Sequence, residues 1–361
     1  MSAEAEARAR VLRVVAAGRR IQDPNDPLGA EARARLPEVT GLDPKGVELA
    51  LSAHLETQPT DAEIDTLLAR TGRAPRCHLV LAANVCTAPL RALALAAATS
   101  PDIVVRPSRR DPVVTDLLVR ALAADETFVQ THHASLTRAS TISPAPGDEL
   151  HVYGSDASIE AVTRSLPAGV CVRGHGTGIG LAVVGADAAL DDAAEALARD
   201  VVPFDQRGCL SPRFVLVEGG EPHAEQFVQA LDAALARTAA RIPRGPLDPA
   251  LAAEITLYGA SMEAVGLFLA RPSHAVGFDP SPRALVLPPA ARVVHVVALA
   301  LEQAPQLLAP WAPFVTAVGS SDDGALARAV LERAPFARCS PLGAMQRPPL
   351  DGPVDLRPSR A

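Results

Sequence analysis

Cys209 has the surroundings that best suit covalent chemistry. It follows Gly208, lies between Arg207 and Arg213, and precedes the apolar run 214–217. A nucleophilic cysteine reacts as its thiolate, and nearby cationic side chains and free backbone N–H groups lower the thiol pKa. We therefore expect a reactive thiol at Cys209.

The other four cysteines lie in apolar or strand-like stretches, where a cysteine usually serves as a small buried hydrophobic residue. They are Cys77, Cys86, Cys171 and Cys339. Five scattered cysteines with no C-x-x-C pair favour a reducing cytoplasm and argue against a disulfide framework or a zinc knuckle. The histidines at 132, 133 and 151 have no metal-ligand spacing, so they are expected to be structural or solvent-facing, and no metal site is predicted.

Two further segments follow predicted strands, where ligands are often bound. Asn84 lies between a strand and a helix, and its amide either donates a hydrogen bond to a developing oxyanion or belongs to an ordinary turn. Gly154 and Ser155 open a helix, whose N-terminal N–H groups suit a phosphate. Plain helix capping by Ser155 or Asp156 explains the same residues equally well.

The stretch 174–180 is rich in glycine but does not have the spacing of a dinucleotide-binding loop. Position 179 is isoleucine, and an apolar strand rather than a helix follows. Either this stretch is a flexible turn joining two domains, or its backbone closely approaches a ligand.

Composition excludes several classes of protein. With 361 residues, of which 48% are hydrophobic and 21% charged, the chain is expected to be globular with two or three domain-sized units. A net charge of −7 and the lack of a basic stripe argue against a nucleic-acid partner. We expect neither a signal peptide nor a membrane span, because Arg13 breaks the N-terminal apolar run and no apolar stretch reaches about 18 residues. The only lysine, Lys45, lies in a turn sequence, which argues against Schiff-base chemistry.

The pattern of elements predicts an α/β protein. Residues 1–70 are expected to be helical, and short apolar strands then alternate with helices of about ten residues, which predicts a doubly wound parallel sheet. The expected strands include 127–129 and 284–287. A second α/β unit is expected to begin near Gly180, and the segment after Pro341 is rich in proline and arginine and should be extended.

These segments, in this order, resemble the aldehyde dehydrogenase superfamily, and within it the acyl-CoA reductases of the bacterial luciferase pathway. The similarity extends over about residues 75–320. Residues 83–85 and 103–108 match the strand–asparagine–helix–strand stretch of that family, and Gly154-Ser155 matches its helix start. Residues 206–212 match the nucleophile segment, in which Cys-x-Ser-Pro is typical of the acyl-CoA reductase branch.

The resemblance implies an aldehyde-dehydrogenase-like α/β fold, with a doubly wound parallel sheet in the dinucleotide-binding domain and a second α/β catalytic domain. The expected domains are a helical segment packing on the cofactor domain (1–70), the dinucleotide-binding domain (71–178), the catalytic domain with the nucleophilic cysteine (179–340) and the extended tail (341–361). Cys209 would be the nucleophile, and Asn84 and the Cys209 backbone N–H would form the oxyanion hole. The residues expected along the nicotinamide dinucleotide are Arg106, Ser108, Gly154 and Ser155.

Departures from the family pattern refine this expectation. Hydrolytic members carry a glutamate 34 residues before the cysteine, and here that position is His175. Without the carboxylate, exchange with coenzyme A becomes the natural second half-reaction, and His175 is a candidate base. Arg106 replaces the usual lysine, and its planar fork suits the extra phosphate of NADPH better than the diol of NADH. No clear counterpart of the family's ribose-binding glutamate occurs around residues 287–289.

The function expected from the resemblance is a cytoplasmic, NAD(P)H-dependent acyl-CoA reductase that passes through an acyl-cysteine and releases an aldehyde. Its cofactor would be NADP, with NAD as the alternative, and its substrate an acyl-CoA or acyl-protein thioester. A homo-oligomer is compatible with the resemblance. Two other functions stay open, an acyl phosphate reductase of the same superfamily and a non-catalytic paralogue that acts as a binding partner.

Overall fold

The computed structural model describes residues 2–358, which divide into two compact units, each built around its own sheet. The N-terminal unit comprises residues 2–177, 349–354 and 358, and the C-terminal unit comprises Gly178–Pro348 and Asp355–Arg357. Residue 1 of the expected helical segment and residues 359–361 of the expected tail lie outside the described part. No helix within the described residues is long and apolar enough to cross a membrane.

Four helices precede the first sheet, and each begins at a side chain that accepts a backbone N–H group. They are α1 (Ala3–Gln22), α2 (Pro27–Thr40), α3 (Pro44–His54) and α4 (Asp61–Arg70). Their caps are Ser2, Asp26, Asp43 and Thr60. Proline in the first turn of α2 and of α3 supplies the helical φ angle. The N–H group that it lacks would have no partner within the helix at that position.

The N-terminal unit contains a five-stranded sheet in which all neighbouring strands are parallel. Its strands are β1 (Cys77–Val80), β2 (Asp102–Arg106), β3 (Ser135–Arg138), β4 (Glu149–Tyr153) and β5 (Cys171–His175). Helices α5 (Ala88–Thr99), α6 (Val113–Ala123) and α7 (Asp156–Arg164) connect them. The spatial order β3-β2-β1-β4-β5 reverses between β1 and β4, which confirms the doubly wound parallel sheet. Sheets of this kind bind ligands at the carboxyl ends of the strands, beside that reversal.

The prediction of a strand at residues 127–129 is wrong. Residues Thr127–Thr131 form one turn of π-helix, and the third strand comes later, at β3. The Asp125 carboxylate accepts the Phe128 N–H at 3.1 Å, and the Phe128 carbonyl oxygen accepts the Ala134 N–H at 3.1 Å. Phe128 is buried, so its side chain anchors the π-helical turn. These local bonds override the strand propensity of an aromatic residue beside valine.

The C-terminal unit contains a seven-stranded sheet of order β12-β11-β6-β7-β10-β9-β8, parallel except for the antiparallel pair β8 and β9. Its strands are β6 (Ile179–Val184), β7 (Pro212–Val217), β8 (Leu267–Ala270), β9 (Ala275–Asp279), β10 (Val293–Ala298), β11 (Val315–Ser320) and β12 (Arg338–Pro341). Its helices are α8 (Leu190–Val201), α9 (Glu221–Arg241), α10 (Pro249–Val265), α11 (Ala304–Leu308) and α12 (Ala325–Arg333). Apolar clusters cover both faces of the central strands, which explains their nearly continuous apolar sequences.

The prediction of a strand at residues 284–287 is also wrong, because this segment is irregular. Prolines at 280, 282, 288 and 289 flank it and remove the N–H donors that a sheet needs. Leu285 packs into the core, whereas Val286 and Leu287 are exposed. The sheet is extended on this side by β9 and by the edge strand β8 instead.

Beyond β12, residues 342–358 form neither helix nor strand. Asp200, near the end of α8, fixes the start of this segment by accepting the N–H groups of Gly343 at 2.6 Å and Met345 at 2.9 Å. Leu342 and Met345 are buried. The described part of the tail therefore consists of turns, bends and irregular chain, and its start is packed rather than projecting.

Candidate active site

Cys209 lies at the amino-terminal edge of the seven-stranded sheet. It follows a short 3-10 turn, Pro203–Gln206, and precedes the first residue of β7, Pro212. The Thr316 hydroxyl, on the second residue of β11, is within hydrogen-bonding distance of the carbonyl oxygens of Cys209 and Ile179. Ile179 begins β6, so Thr316 fixes the backbone of the cysteine at the edge where three parallel strands start.

Three successive residues shortly before Cys209 have a backbone conformation that side-chain-bearing residues rarely adopt. Phe204, Asp205 and Gln206 have φ angles of 55°, 49° and 64°. Each residue in this left-handed region costs roughly 1–3 kcal/mol, so the surrounding structure must offset the strain. The left-handed turn sets the direction in which the chain enters the cysteine segment.

Gln206 holds this turn with three buried hydrogen bonds. Its amide nitrogen donates to the carbonyl oxygens of Pro212 and Val293, both at 2.8 Å, and its amide oxygen accepts the Val293 N–H at 2.8 Å. Pro212 begins β7 and Val293 begins β10, which are neighbouring strands. The amide therefore ties the left-handed turn to the same edge of the sheet.

Asp205 holds the turn with a buried ion pair. Its carboxylate lies 2.8 Å from the Arg292 guanidinium, and the two side chains are 2% and 1% exposed. The same carboxylate accepts the Gly245 N–H at 3.1 Å. Breaking one partner of such a pair typically costs about 3–5 kcal/mol, because the other charge is left buried and alone.

The expectation that basic neighbours lower the pKa of the Cys209 thiol is wrong. Although the residue is partly accessible to solvent, burial of the sulfur, reinforced by the Asp355 carboxylate, raises the pKa of Cys209 to about 11. Arg357, the Cys209 N–H and the Thr316 hydroxyl offset only part of this increase. The resting thiol is therefore protonated near neutral pH and needs a base before it can attack.

The two arginines adjacent to the cysteine in the sequence bind elsewhere in the C-terminal unit. Arg207 lies 3.8 Å from the Asp205 carboxylate, and Arg213 donates to the carbonyl oxygen of Pro288. The arginine that lowers the pKa of the Cys209 thiol is therefore not a neighbour in the sequence but Arg357.

Gly178, just before β6, and Gly180, its second residue, permit a close approach of backbone to the cysteine segment. A Cβ atom on Gly178 would lie 2.4 Å from Cγ2 of Thr316 and 3.1 Å from Cβ of Cys209. A Cβ atom on Gly180 would lie 2.3 Å from the carbonyl oxygen of Leu210. The contacts at 2.4 Å and 2.3 Å are closer than real Cβ atoms come to a neighbour, so Gly178 and Gly180 serve close packing against protein.

The remaining predicted site residues lie at the carboxyl ends of four neighbouring strands in the N-terminal unit. Asn84 follows β1, Arg106 ends β2 and Ser108 follows it, Gly154 and Ser155 follow β4, and His175 ends β5. Asn84 and Ser155 are exposed. The structure thus brings these six residues to the edge where the strand order reverses, which is the usual ligand position in a doubly wound sheet.

Ser155 caps α7, since its hydroxyl accepts the Ser158 N–H at 3.2 Å. The start of α7 is also tied to the end of β5, because the Asp156 carboxylate accepts the Thr177 N–H at 3.0 Å. A Cβ atom on Gly176 would lie 2.1 Å from that carboxylate, so a larger residue there would displace the Asp156 side chain from this bond. The capping role accounts for Ser155 and leaves the helix N-terminus in place for an anion.

His175 ends a hydrogen-bonded chain of side chains on one face of β4 and β5. His151 Nε2 lies 2.9 Å from Glu149 Oε1, and His151 Nδ1 lies 3.0 Å from His175 Nε2. The Tyr153 ring stacks on the His175 ring with 4.2 Å between centroids. Glu149, His151 and Tyr153 share one face because successive strand residues alternate between faces. That alternation is the sequence signal for the hydrogen-bonded chain of side chains. His151 is buried rather than solvent-facing.

Glu149 anchors this chain. Burial alone would raise the pKa of Glu149, but the hydrogen bond and charge of His151, together with Arg173, hold it below its ordinary value. The Glu149 carboxylate bonds His151 Nε2, and His151 Nδ1 in turn bonds His175 Nε2. The chain therefore fixes the orientation of the His175 ring.

The prediction that the other four cysteines are buried is correct for two of them. Cys77 and Cys86 are buried, whereas Cys171 and Cys339 are exposed. Cys171 begins β5 and Cys339 lies in β12, and both strands are at the edge of their sheets, where one side is uncovered. Experiments on the thiol of Cys209 therefore need both exposed cysteines replaced.

Comparison with known proteins identifies the family of this chain. Residues 56–357 match the acyl-CoA reductase (LuxC) family. The chain matches none of the curated proteins with which it was compared. The family match covers most of the sequence and includes every residue of the candidate site.

Solved structures similar to this chain are aldehyde dehydrogenases. An NAD-dependent benzaldehyde dehydrogenase from Corynebacterium glutamicum has a TM-score of 0.68 at 15% identity, covering 92% of this chain and 80% of that one. Glyceraldehyde-3-phosphate dehydrogenase GapN from Methanocaldococcus jannaschii, complexed with NADP, has a TM-score of 0.64 at 15% identity, covering 93% and 81%. Lactaldehyde dehydrogenase from Escherichia coli has a TM-score of 0.63 at 17% identity, covering 93% and 80%. The predicted resemblance is confirmed: the chain belongs to the acyl-CoA reductase (LuxC) family and has the fold of the aldehyde dehydrogenases.

Proposed function

We propose that this acyl-CoA reductase reduces a fatty acyl thioester to the aldehyde through an acyl intermediate on Cys209, with NADPH as the preferred reductant. The family supports acyl-CoA as the thioester, and an acyl-protein would present the same reacting group. The observation that carries the proposal is the way Cys209 is held. A strained left-handed turn precedes it, buried polar contacts stabilise that turn, and Thr316 fixes the cysteine backbone.

Acylation joins the Cys209 sulfur to the acyl carbonyl carbon and breaks the bond from that carbon to the coenzyme A sulfur. Because the pKa of the thiol is about 11, a base must accept its proton. Our candidate is His175, whose ring is oriented by the hydrogen bond from its Nε2 to His151 and from there to Glu149. The same proton then leaves on the coenzyme A thiolate, so charge and atoms balance.

Two donors are proposed for the negative charge that develops on the acyl oxygen. They are the side-chain amide of Asn84 and the backbone N–H of Cys209. Preorganised donors stabilise the tetrahedral state more than the planar ground state, because the charge develops only there. In the second half-reaction the tetrahedral thiohemiacetal on Cys209 collapses to aldehyde, and the sulfur leaves as a thiolate that is protonated again.

The N-terminal unit fits a nicotinamide dinucleotide. Its strand order reverses between β1 and β4, and Gly154 and Ser155 start a helix at that edge, where N–H groups suit the diphosphate. Arg106 and Ser108, at the end of β2, would face the adenosine ribose, and the arginine fork suits a 2′-phosphate. When bound, the nicotinamide supplies the hydride for the acyl carbon. Two of the similar structures name NAD or NADP in their descriptions, which supports a cofactor of this class.

Replacing Cys209 with alanine is expected to abolish covalent acylation, because the attacking sulfur is removed from a site loop whose buried contacts remain. Intact-protein mass spectrometry after incubation with a long-chain acyl-CoA, without reductant, should find one acyl group on the parent and none on C209A. Both proteins carry Cys171→Ser and Cys339→Ser, so that exposed thiols do not contribute. An adduct that persists in C209A would place the nucleophile elsewhere.

Asn84→Ala is expected to slow turnover by roughly 10²–10³-fold, which is the usual effect of losing one oxyanion donor. The KM for acyl-CoA should change little, since the lost bond forms mainly in the transition state. The matched control is Asn25→Ala, because Asn25 is the only other asparagine and lies in an exposed turn. A kcat within about threefold of the wild type would mean that Asn84 is only a turn residue.

Arg106→Ala is expected to lower kcat/KM selectively for NADPH, and the wild type should prefer NADPH to NADH. The control is Arg138→Ala at the end of the neighbouring strand β3, where the guanidinium pairs with Asp116 at 2.6 Å. Initial rates with both cofactors in the three proteins give the comparison. Equal losses with NADPH and NADH, or a wild-type preference for NADH, would contradict a phosphate contact at Arg106.

A further inference from the structure

Cys209 is one of the two central residues of a β-turn that begins at Gly208 and ends at Ser211. The Ser211 N–H donates to the Gly208 carbonyl oxygen at 3.1 Å, which closes the turn. Neither central residue, Cys209 or Leu210, has a positive φ angle, and this excludes the turn types that need a left-handed residue at a central position. The turn is therefore of type I, in which both central residues lie in the right-handed helical region.

The first two peptide groups of this turn are held by their carbonyl oxygens. The Gly208 oxygen is held by the Ser211 N–H, and the Cys209 oxygen by the Thr316 hydroxyl. In a trans peptide the N–H points away from the carbonyl oxygen, so these two bonds also fix the directions of the Cys209 and Leu210 N–H groups.

Thr316 can hold the Cys209–Leu210 peptide because its own side chain is fixed. It is buried and is the second residue of β11. A Cβ atom on Gly178 would lie 2.4 Å from Cγ2 of Thr316, and 3.1 Å from both Oγ1 of Thr316 and Cβ of Cys209. The threonine methyl group therefore packs against the backbone of Gly178, and the hydroxyl is directed to the cysteine segment.

The Leu210 N–H is the donor that this arrangement leaves for a substrate. Among the described residues, none accepts it. It lies on the same side of the turn as the Cys209 N–H, because residues in the right-handed helical region direct successive N–H groups the same way. In α/β-hydrolases the N–H of the residue after the nucleophile belongs to the oxyanion hole, so a donor at this position can reach the oxygen of an acyl group.

We propose that the Leu210 backbone N–H is a further donor to the oxygen of the acyl group on Cys209, and that Thr316 is a positioning residue for this donor. The proposal rests on the proposed role of Cys209 as the nucleophile. When the sulfur attacks, the acyl carbon becomes tetrahedral and its oxygen takes up the negative charge. Two successive N–H groups of one fixed turn then donate to that oxygen, and neither has to reorganise as the charge develops. All the groups that hold and form this turn belong to the C-terminal unit.

Replacing Leu210 with leucic acid, the α-hydroxy analogue of leucine, tests the donor directly. An ester oxygen takes the place of the N–H, and the side chain is kept. We expect the burst of free coenzyme A after mixing with acyl-CoA to be slowed by about 10²-fold, as expected for the loss of one oxyanion donor. The control is the same exchange at Leu190, the first residue of α8, where the missing N–H has no partner within the helix. This control should leave the burst unchanged.

Substitutions of Thr316 test the positioning role. Thr316→Val keeps the shape of the side chain without the hydroxyl, and we expect it to slow the burst about tenfold, as for the loss of one hydrogen bond, with the KM for acyl-CoA little changed. Thr316→Ser keeps the hydroxyl and should stay within about threefold of the parent. The control is Thr238→Val, which removes a buried hydroxyl that donates to the Ala234 carbonyl oxygen at 2.9 Å. Equal slowing by valine and serine would contradict the positioning role, because it would follow packing rather than the hydrogen bond.

The two proposals fail in different ways. A Leu210 ester that forms the acyl adduct with a burst as fast as in the parent would overturn the Leu210 donor and leave the proposed function standing. A parent protein that forms no acyl adduct on Cys209 would refute the proposed function, and the Leu210 donor with it.

Discussion

The buried polar contacts of Asp205 and Gln206 are the constraint on which the candidate nucleophile depends. Three consecutive left-handed residues would relax to ordinary conformations if nothing opposed them. The Arg292 guanidinium and the backbone of Val293 oppose this from the start of β10, and Pro212 does so from the start of β7. The sheet therefore determines the conformation of the turn, and the turn determines where Cys209 lies.

The same packing that fixes Cys209 also suppresses its reactivity. Burial raises the thiol pKa to about 11, so position and reactivity are supplied by different groups. We assign position to the left-handed turn and Thr316, and reactivity to a base. In the N-terminal unit, the hydrogen-bonded chain Glu149–His151–His175 orients a histidine at the end of β5 through a buried carboxylate.

The sequence predicted the fold class because alternating apolar strands and helices leave few other solutions, and the order of weak motifs identified the superfamily. The prediction of strands failed at residues 127–129, where one aspartate carboxylate and a buried phenylalanine favour a π-helical turn. It also failed at residues 284–287, where prolines remove N–H donors. The motif around Cys209 was visible, but the residues that tune it were not. Thr316 follows the cysteine by 107 residues, so only the folded chain brings its hydroxyl to the Cys209 carbonyl oxygen.

The central claim, that the held turn makes Cys209 a nucleophile, is tested most directly by Gln206→Glu. This change keeps the shape of the side chain but removes the amide donors to Pro212 and Val293. The measurement is the pre-steady-state burst of free coenzyme A after mixing with acyl-CoA, with Gln303→Glu, at an exposed glutamine, as the control. The account predicts a burst slowed by about 10²-fold with the circular dichroism spectrum unchanged, since small displacements of a reacting group cost about that much. A burst as fast as in the wild type would contradict it.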